Sequence, residues 1–140
     1  MNRRKTTVIS IVVILGLFGY YVYQVVAFET SLGRNQPENP STIVIATFNN
    51  DNERHERVVR LTEIDGKAYI AAQHWPRAWY RQALARPDIE VKMEDVFEPY
   101  RAVPLQGEEL KMVKSIYTMP FSFRYRTGFP PRRFLRLDPA

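Results

Sequence analysis

The sequence predicts an α+β chain: one N-terminal transmembrane helix, then a small β-barrel interrupted by two helices. Three observations carry this. An uncharged apolar run opens the chain, short β-branched stretches recur after it between turn residues, and two stretches with helical apolar spacing separate those strands.

The apolar run extends from Thr6 to Phe28, 23 residues without a charge, behind Arg3, Arg4 and Lys5. As a helix it reaches about 35 Å, against a hydrocarbon core of about 30 Å. Tyr20, Tyr21 and Tyr23 fall where an aromatic belt would lie. The competing reading is a cleaved signal peptide, for which Val25-Val26-Ala27 is a tolerable site, although the run is long for such a segment. Three cations precede the span, and only Arg34, between Glu29 and Glu38, follows it closely. The positive-inside rule then puts the N-terminus in the cytoplasm and the remainder across the membrane, on the periplasmic side in a bacterium. The expected organisation is an anchor at 6–28, a linker at 29–41 and a folded domain at 42–140. Gly33, Asn35, Pro37, Asn39 and Pro40 mark the linker.

Thr42–Phe48 reads as a first strand, closed by Asn49-Asn50-Asp51-Asn52. Arg57–Ile64 and Lys67–Gln73 flank Asp65-Gly66, a two-residue hairpin signal. Pro76 and Pro87 bracket a helix with Trp75, Trp79, Ala83 and Leu84 on its apolar stripe. Ile89–Met93 alternates as a strand, and Tyr100–Gln106 follows as another, with Pro104 suggesting an edge. Gly107, Glu108 and Glu109 open a second helix with Leu110, Val113, Ile116 and Tyr117 inward, and Pro120 stops it. An aromatic, basic tail adds a strand near Phe134–Leu137.

The chain carries 20 Lys and Arg against 15 Asp and Glu, two histidines and no cysteine. No disulfide, thiolate nucleophile or Cys-ligated zinc is therefore available. His55 and His74 have no carboxylate at ligand spacing, so no metal site is expected, and each reads first as a loop histidine or a proton donor. No Ser/His/Asp order or phosphate loop appears.

The stretch RVVRLTEIDGKAYIAAQHWPRAWYRQALARPDIEV, Arg57 to Val91, resembles the deazaflavin-dependent nitroreductase family. That family shows an arginine opening a strand, an Asp-Gly hairpin and a Pro-x-x-Trp-Tyr helix. Here the motif stands as Pro76, Trp79, Tyr80, Gln82, Ala85 and Pro87. The closing RRFLRLDP is also similar to the family's last strand. The resemblance spans about Thr42 to Pro139 and implies an FMN-binding split barrel that commonly dimerises. It further implies a deazaflavin (F420) or FMN cofactor passing hydride to a quinone or nitro compound, in a groove lined by Arg57, His74, Tyr80 and Tyr100. Arg54 would add charge for the cofactor phosphate, and Trp79 would stack on its ring unless it packs the helix against the barrel. Two departures oppose catalysis. NNDNERHE at Asn49–Glu56 replaces the family's basic, Gly-rich loop, and Gln73-His74-Trp75 replaces a second Gly-rich loop. The alternative is a split barrel without a cofactor, serving as a tethered binding or interaction module.

From Lys111 to Leu137 there are seven Lys or Arg and no acid, interleaved with aromatics. This pattern suits an anionic cofactor tail or membrane lipid, or a solvated strand edge over a buried aromatic core. Nucleic acid is not expected on a domain outside the cytoplasm.

Overall fold

A computed structural model describes residues 3–34, 41–72 and 78–140. Its elements are α1 (Arg3–Arg34), β1 (Thr42–Phe48), β2 (Arg54–Ile64), β3 (Lys67–Ala72), α2 (Ala78–Ala85), β4 (Asp88–Met93), β5 (Val96–Pro104), α3 (Gly107–Ile116), α4 (Phe121–Arg126) and β6 (Arg133–Pro139). The chain divides into two compact units. One holds residues 1–35 and 120–129, the other 36–119 and 130–140.

The second unit is a closed antiparallel barrel in the order β1-β2-β3-β6-β5-β4. β4 returns to β1 through the pairs Ile45↔Val91 and Ala46↔Glu90. Closure removes the edge that Pro104 suggested. Pro104 is instead the last residue of β5, opposite Leu135, where the ladder is ending and a missing N–H costs little. Two hairpins set the register. Asp65 and Gly66 both have positive φ, as a two-residue primed turn requires. Glu94 and Asp95 do the same between β4 and β5. Neither is glycine, so this second turn gives little signal in the sequence, and β5 begins at Val96 rather than at Tyr100.

Alternation divides the strand residues between two cores. Ile45, Val59, Ile70, Val91 and Leu135 point into the barrel, where each is at most 3% exposed. Burying such a side chain contributes about 1.5–3 kcal/mol. The alternate positions Tyr69 and Phe134 point outward and are covered by Leu105, Val113 and Tyr117 around α3. β3 and β6 are thus buried on both faces at these positions, which fits the unbroken AYIAA of β3 and the adjacent Phe134 and Leu135 of β6. Ile116, expected on the inner face of α3, is 49% exposed. α3 ends at Ile116, and Tyr117 caps it with its amide donating to the Val113 carbonyl.

The first unit packs α4 on α1. α1 continues through Arg34, further than the apolar run itself, and Lys5–Leu32 is long and apolar enough to cross a membrane. α4 was not expected. Pro120, read as the stop of α3, is the N-cap of α4. The short helix closes through Gly128 and Phe129, both at positive φ, with the Phe129 amide donating to the Arg124 carbonyl at 2.9 Å. This six-to-one bond marks a left-handed helix cap.

Candidate functional site

The strand directions bring Phe48, Arg54, Ala72, Asp88, Pro104 and Arg133 to one end of the barrel. α2 joins β3 to β4 across that end. Trp79 and Ala83, four residues apart on α2, enter the barrel core. Thr47, fully buried, donates its hydroxyl to the Gln82 carboxamide oxygen at 2.7 Å and so fixes α2 to β1. Trp79 is 5% exposed and meets the Tyr80 ring edge-on at 5.9 Å. Its face therefore belongs to packing. Tyr80, half-buried beside it, lies beneath the Arg133 guanidinium, 5.6 Å from the ring centroid.

Arg133 was not singled out by the sequence. It opens β6 opposite Ala72, at the end of the strand after which residues 73–77 begin. Its signal was the RR pair before an alternating strand, visible only once β6 is known to neighbour β3. Arg57 pairs with the core residue Ile45 and is half-buried, so it lies on the barrel's inward side. Arg60 pairs with Thr42 and is exposed, with its guanidinium 5.6 Å from the Tyr117 ring. Arg57 and Arg60, an odd step apart on β2, thus face opposite sides of the strand. Tyr100 sits in mid-β5 opposite Ile89 and packs against the barrel core. His74, with Gln73, Trp75, Pro76 and Arg77, lies outside the described residues. His55 is exposed on β2, 3.9 Å from Glu53.

Arg54 is separated from Arg57 by an odd step and faces outward. It bonds Glu56, donates from Nε to Glu90 at 2.9 Å, and stacks over Phe97 at 4.1 Å. The hydrogen bonds from Glu56 and Glu90 hold its guanidinium charged even more firmly than usual. Arg54 is therefore neutralised on the outer wall and does not converge with Arg57.

The β1–β2 turn is closed upon itself. The Asn49 side-chain oxygen accepts the amides of Asp51 and Glu53 at 3.0 and 2.8 Å. The Arg86 guanidinium donates to the Asn49 carbonyl and to the Asn52 side chain, both at 3.0 Å. A phosphate cradle needs free amides and convergent cations. Here the amides of Asp51 and Glu53 are occupied, and acidic side chains flank the turn, so it does not fit a phosphate. At this end the described residues that offer a ring and cations are Tyr80 with Arg133 over it, and Arg57 on the inward side of β2.

Elsewhere on the barrel, Arg136 clamps α3. Its Nη1 donates to both Glu109 oxygens at 2.9 Å, and its Nε and Nη2 donate to Asp138 at 2.6 and 2.9 Å. The Tyr69 hydroxyl also donates to Glu109, at 2.9 Å. The Arg136 bonds hold both carboxyls below the usual carboxylate range, while burial and then the Glu109 contact push the Tyr69 phenol up. Every group has its partner, which marks a structural network rather than a poised acid or base.

No family model matches the sequence, and no curated protein matches it. Solved structures do share the fold. A protein described as a domain-swapped dimer superposes with a TM-score of 0.56 at 18% identity, over 80% of this chain and 94% of its own. An F420-H2 dependent reductase gives 0.52 at 18% identity, over 74% of this chain and 99% of its own. PhzG from Burkholderia lata 383, in complex with tetrahydrophenazine-1-carboxylic acid, gives 0.54 at 13% identity, over 84% and 75%. At these identities the likeness is one of fold. The barrel has the fold shared by these proteins, an F420-H2 dependent reductase among them, which is the split-barrel fold that the resemblance implied.

Proposed function

We propose that the chain is a membrane-tethered oxidoreductase whose split barrel binds deazaflavin or FMN at the α2 end and reduces a quinone or nitro compound. One observation carries the reading: a ring and a guanidinium, Tyr80 and Arg133, are stacked at the helix-covered end of a reductase-type barrel. A bound deazaflavin or flavin supplies the hydride chemistry, and the chain holds and orients it. Tyr80 presents a face to the flat ring system. Arg133 and Arg57 offer charge to an anionic tail, and Tyr100 and His74 complete the expected walls. Trp79 fixes α2 from beneath and so sets the Tyr80 ring. α1 is the anchor and the barrel the extracytoplasmic domain, with a linker between them. A lipid-soluble quinone suits that tether, and a homodimer suits the fold.

A specific observation favours a second reading. Asn49 and Arg86 seal the turn where relatives of this type would be expected to grip phosphate. A barrel that lost its cofactor would keep the fold and act as a tethered interaction module. Titration of the full chain in detergent with F420 and FMN, followed by quenching of the emission of Trp75 and Trp79 together, separates the two. Saturable quenching at micromolar ligand, weakened by Arg133→Ala, supports the reductase. A folded sample that responds to neither ligand sinks it and leaves the module.

A further inference from the structure

Three rings cluster on the exposed side of the segment 120–129. Phe121 is 71% exposed, Tyr125 51% and Phe129 41%. The centroids of Phe121 and Phe129 lie 5.6 Å apart, those of Tyr125 and Phe129 6.5 Å. Folding normally hides such a group, and contiguous exposed apolar surface signals a binding face. Phe129 moreover holds a φ of 53°, a conformation a bulky residue rarely adopts. That conformation belongs to the cap that closes α4, so the cap also sets where the ring lies.

The segment is also built onto α1, and Tyr125, half-exposed, bridges the ring cluster to that helix. Phe123 meets Phe28 edge-on at 5.9 Å, the Tyr21 and Tyr125 rings lie 5.0 Å apart, and the Tyr21 hydroxyl donates to the Tyr125 carbonyl at 2.8 Å. Gly128 lies so close to α1 that an added Cβ would stand 3.0 Å from Val25. Twenty residues of helix cover about 30 Å of hydrocarbon. Counted from Thr6, such a span ends at Val25. The contacts at Tyr21, Val25 and Phe28 therefore place the segment at the level where α1 leaves the hydrocarbon. Arg126 lies over Phe28 at 4.0 Å and Arg124 over Phe129 at 5.4 Å. Rings at an interface, with guanidinium groups beside them, match the chemistry of lipid headgroups.

We propose that the segment Pro120–Phe129 is a membrane-interface foot: Phe121, Tyr125 and Phe129 enter an anionic bilayer beside α1, and Arg124 and Arg126 meet its phosphates. The proposal rests on reading α1 as a membrane span, and the test separates the two. The chain has no cysteine, so a single introduced thiol carries a spin label without background. Full-length protein is reconstituted in phosphatidylcholine vesicles, with or without phosphatidylglycerol. Accessibility to oxygen and to a water-soluble nickel chelate is then compared at Leu15→Cys, Phe121→Cys, Ser122→Cys and Glu63→Cys. Ser122→Cys keeps all three rings, which guards against misfolding at Phe121. The expected result is a depth parameter positive at 15, negative at 63, and shifted toward lipid at 121 and 122. The shift should grow with phosphatidylglycerol, and Arg126→Gln should remove that increment. Lipid at 15 with water at 121 and 122 overturns the foot and leaves the anchor. Water at 15 overturns both. Spin–spin broadening at 121 that dilution with unlabelled chain removes means that a second copy covers the rings, and overturns the lipid assignment. A shift indifferent to phosphatidylglycerol overturns the role of the arginines.

Discussion

Arg136 on β6 and Glu109 on α3 form a chelate, one guanidinium nitrogen bonded to both carboxylate oxygens at 2.9 Å. Both side chains are mostly buried, at 22% and 27% exposure. The pair joins α3 to the barrel where Tyr69 and Asp138 also converge. Charged hydrogen bonds of this kind are worth about 1.5–3 kcal/mol each, less where water reaches them. Arg136→Ala or Glu109→Ala should therefore lower unfolding free energy by about 1–3 kcal/mol. Urea denaturation in detergent, with α3 docking read by Tyr117 environment, checks this.

The same network sets a pH dependence. Glu109 and Asp138 titrate lower in the fold than free, chiefly through Arg136. Their stabilisation is thus complete above the unfolded carboxylate range and is lost as pH falls through the depressed folded values. Tyr69 titrates higher than free, through burial first and the Glu109 bond second. Its share is complete below the phenol's ordinary range near pH 10 and is lost as pH rises through the raised value. Stability measured against pH should fall on both flanks. Glu109→Gln should flatten the acid flank, and Tyr69→Phe the alkaline one. An unchanged acid flank in Glu109→Gln would contradict the assignment.

Arg54 and Arg133 make opposite predictions. Arg54 is already neutralised by Glu56 and Glu90 on the outer wall. Exposed pairs contribute about 0–1 kcal/mol, so Arg54→Ala should change stability by less than about 1 kcal/mol and leave flavin or deazaflavin affinity unchanged. Arg133→Ala should leave stability equally unchanged but weaken ligand affinity by about tenfold, about 1.4 kcal/mol. Paired titrations of the two variants decide this. Equal affinities would remove Arg133 from the site.

Most of the barrel was legible because its physics is local. Ile70 and Ala72 alternate with Tyr69 and Ala71, and Asp65-Gly66 fixes a turn whose φ values only a few residue types accept. All six strands exist where they were expected, but β2 starts at Arg54, inside the stretch read as a loop, and β5 runs from Val96 to Pro104 rather than from Tyr100 to Gln106. Ahead of β5 the turn is Glu94-Asp95, a pair without a strong preference, and the barrel imposes the conformation. The candidate site was less legible. Tyr80 stands in a helical motif and could be read directly. Arg133 meets it only through the pairing of β3 with β6, a contact between strands far apart in sequence. Arg54 and Arg57 look equivalent in a charge-rich stretch, yet strand parity sends one outward and one inward. The aromatic, basic tail concealed α4, because the six residues of Phe121–Arg126 are too few to display a helical period.

Gly128 offers the last prediction, on how α4 is held. Its φ is +70°, and a Cβ there would meet Val25 Cγ1 at 3.0 Å. An L residue in this conformation costs about 1–2 kcal/mol before any clash. Gly128→Val adds steric overlap with α1 and should free α4 from it. Trypsin cleavage after Arg124 and Arg126 then becomes faster, since protease reaches chain that has opened locally. Val25→Ala removes the colliding methyls but leaves the backbone penalty. The double variant should therefore be cut at a rate between wild type and Gly128→Val. A double variant as fast as Gly128→Val would mean that backbone conformation alone docks α4. One as slow as wild type would assign the whole effect to the Val25 contact.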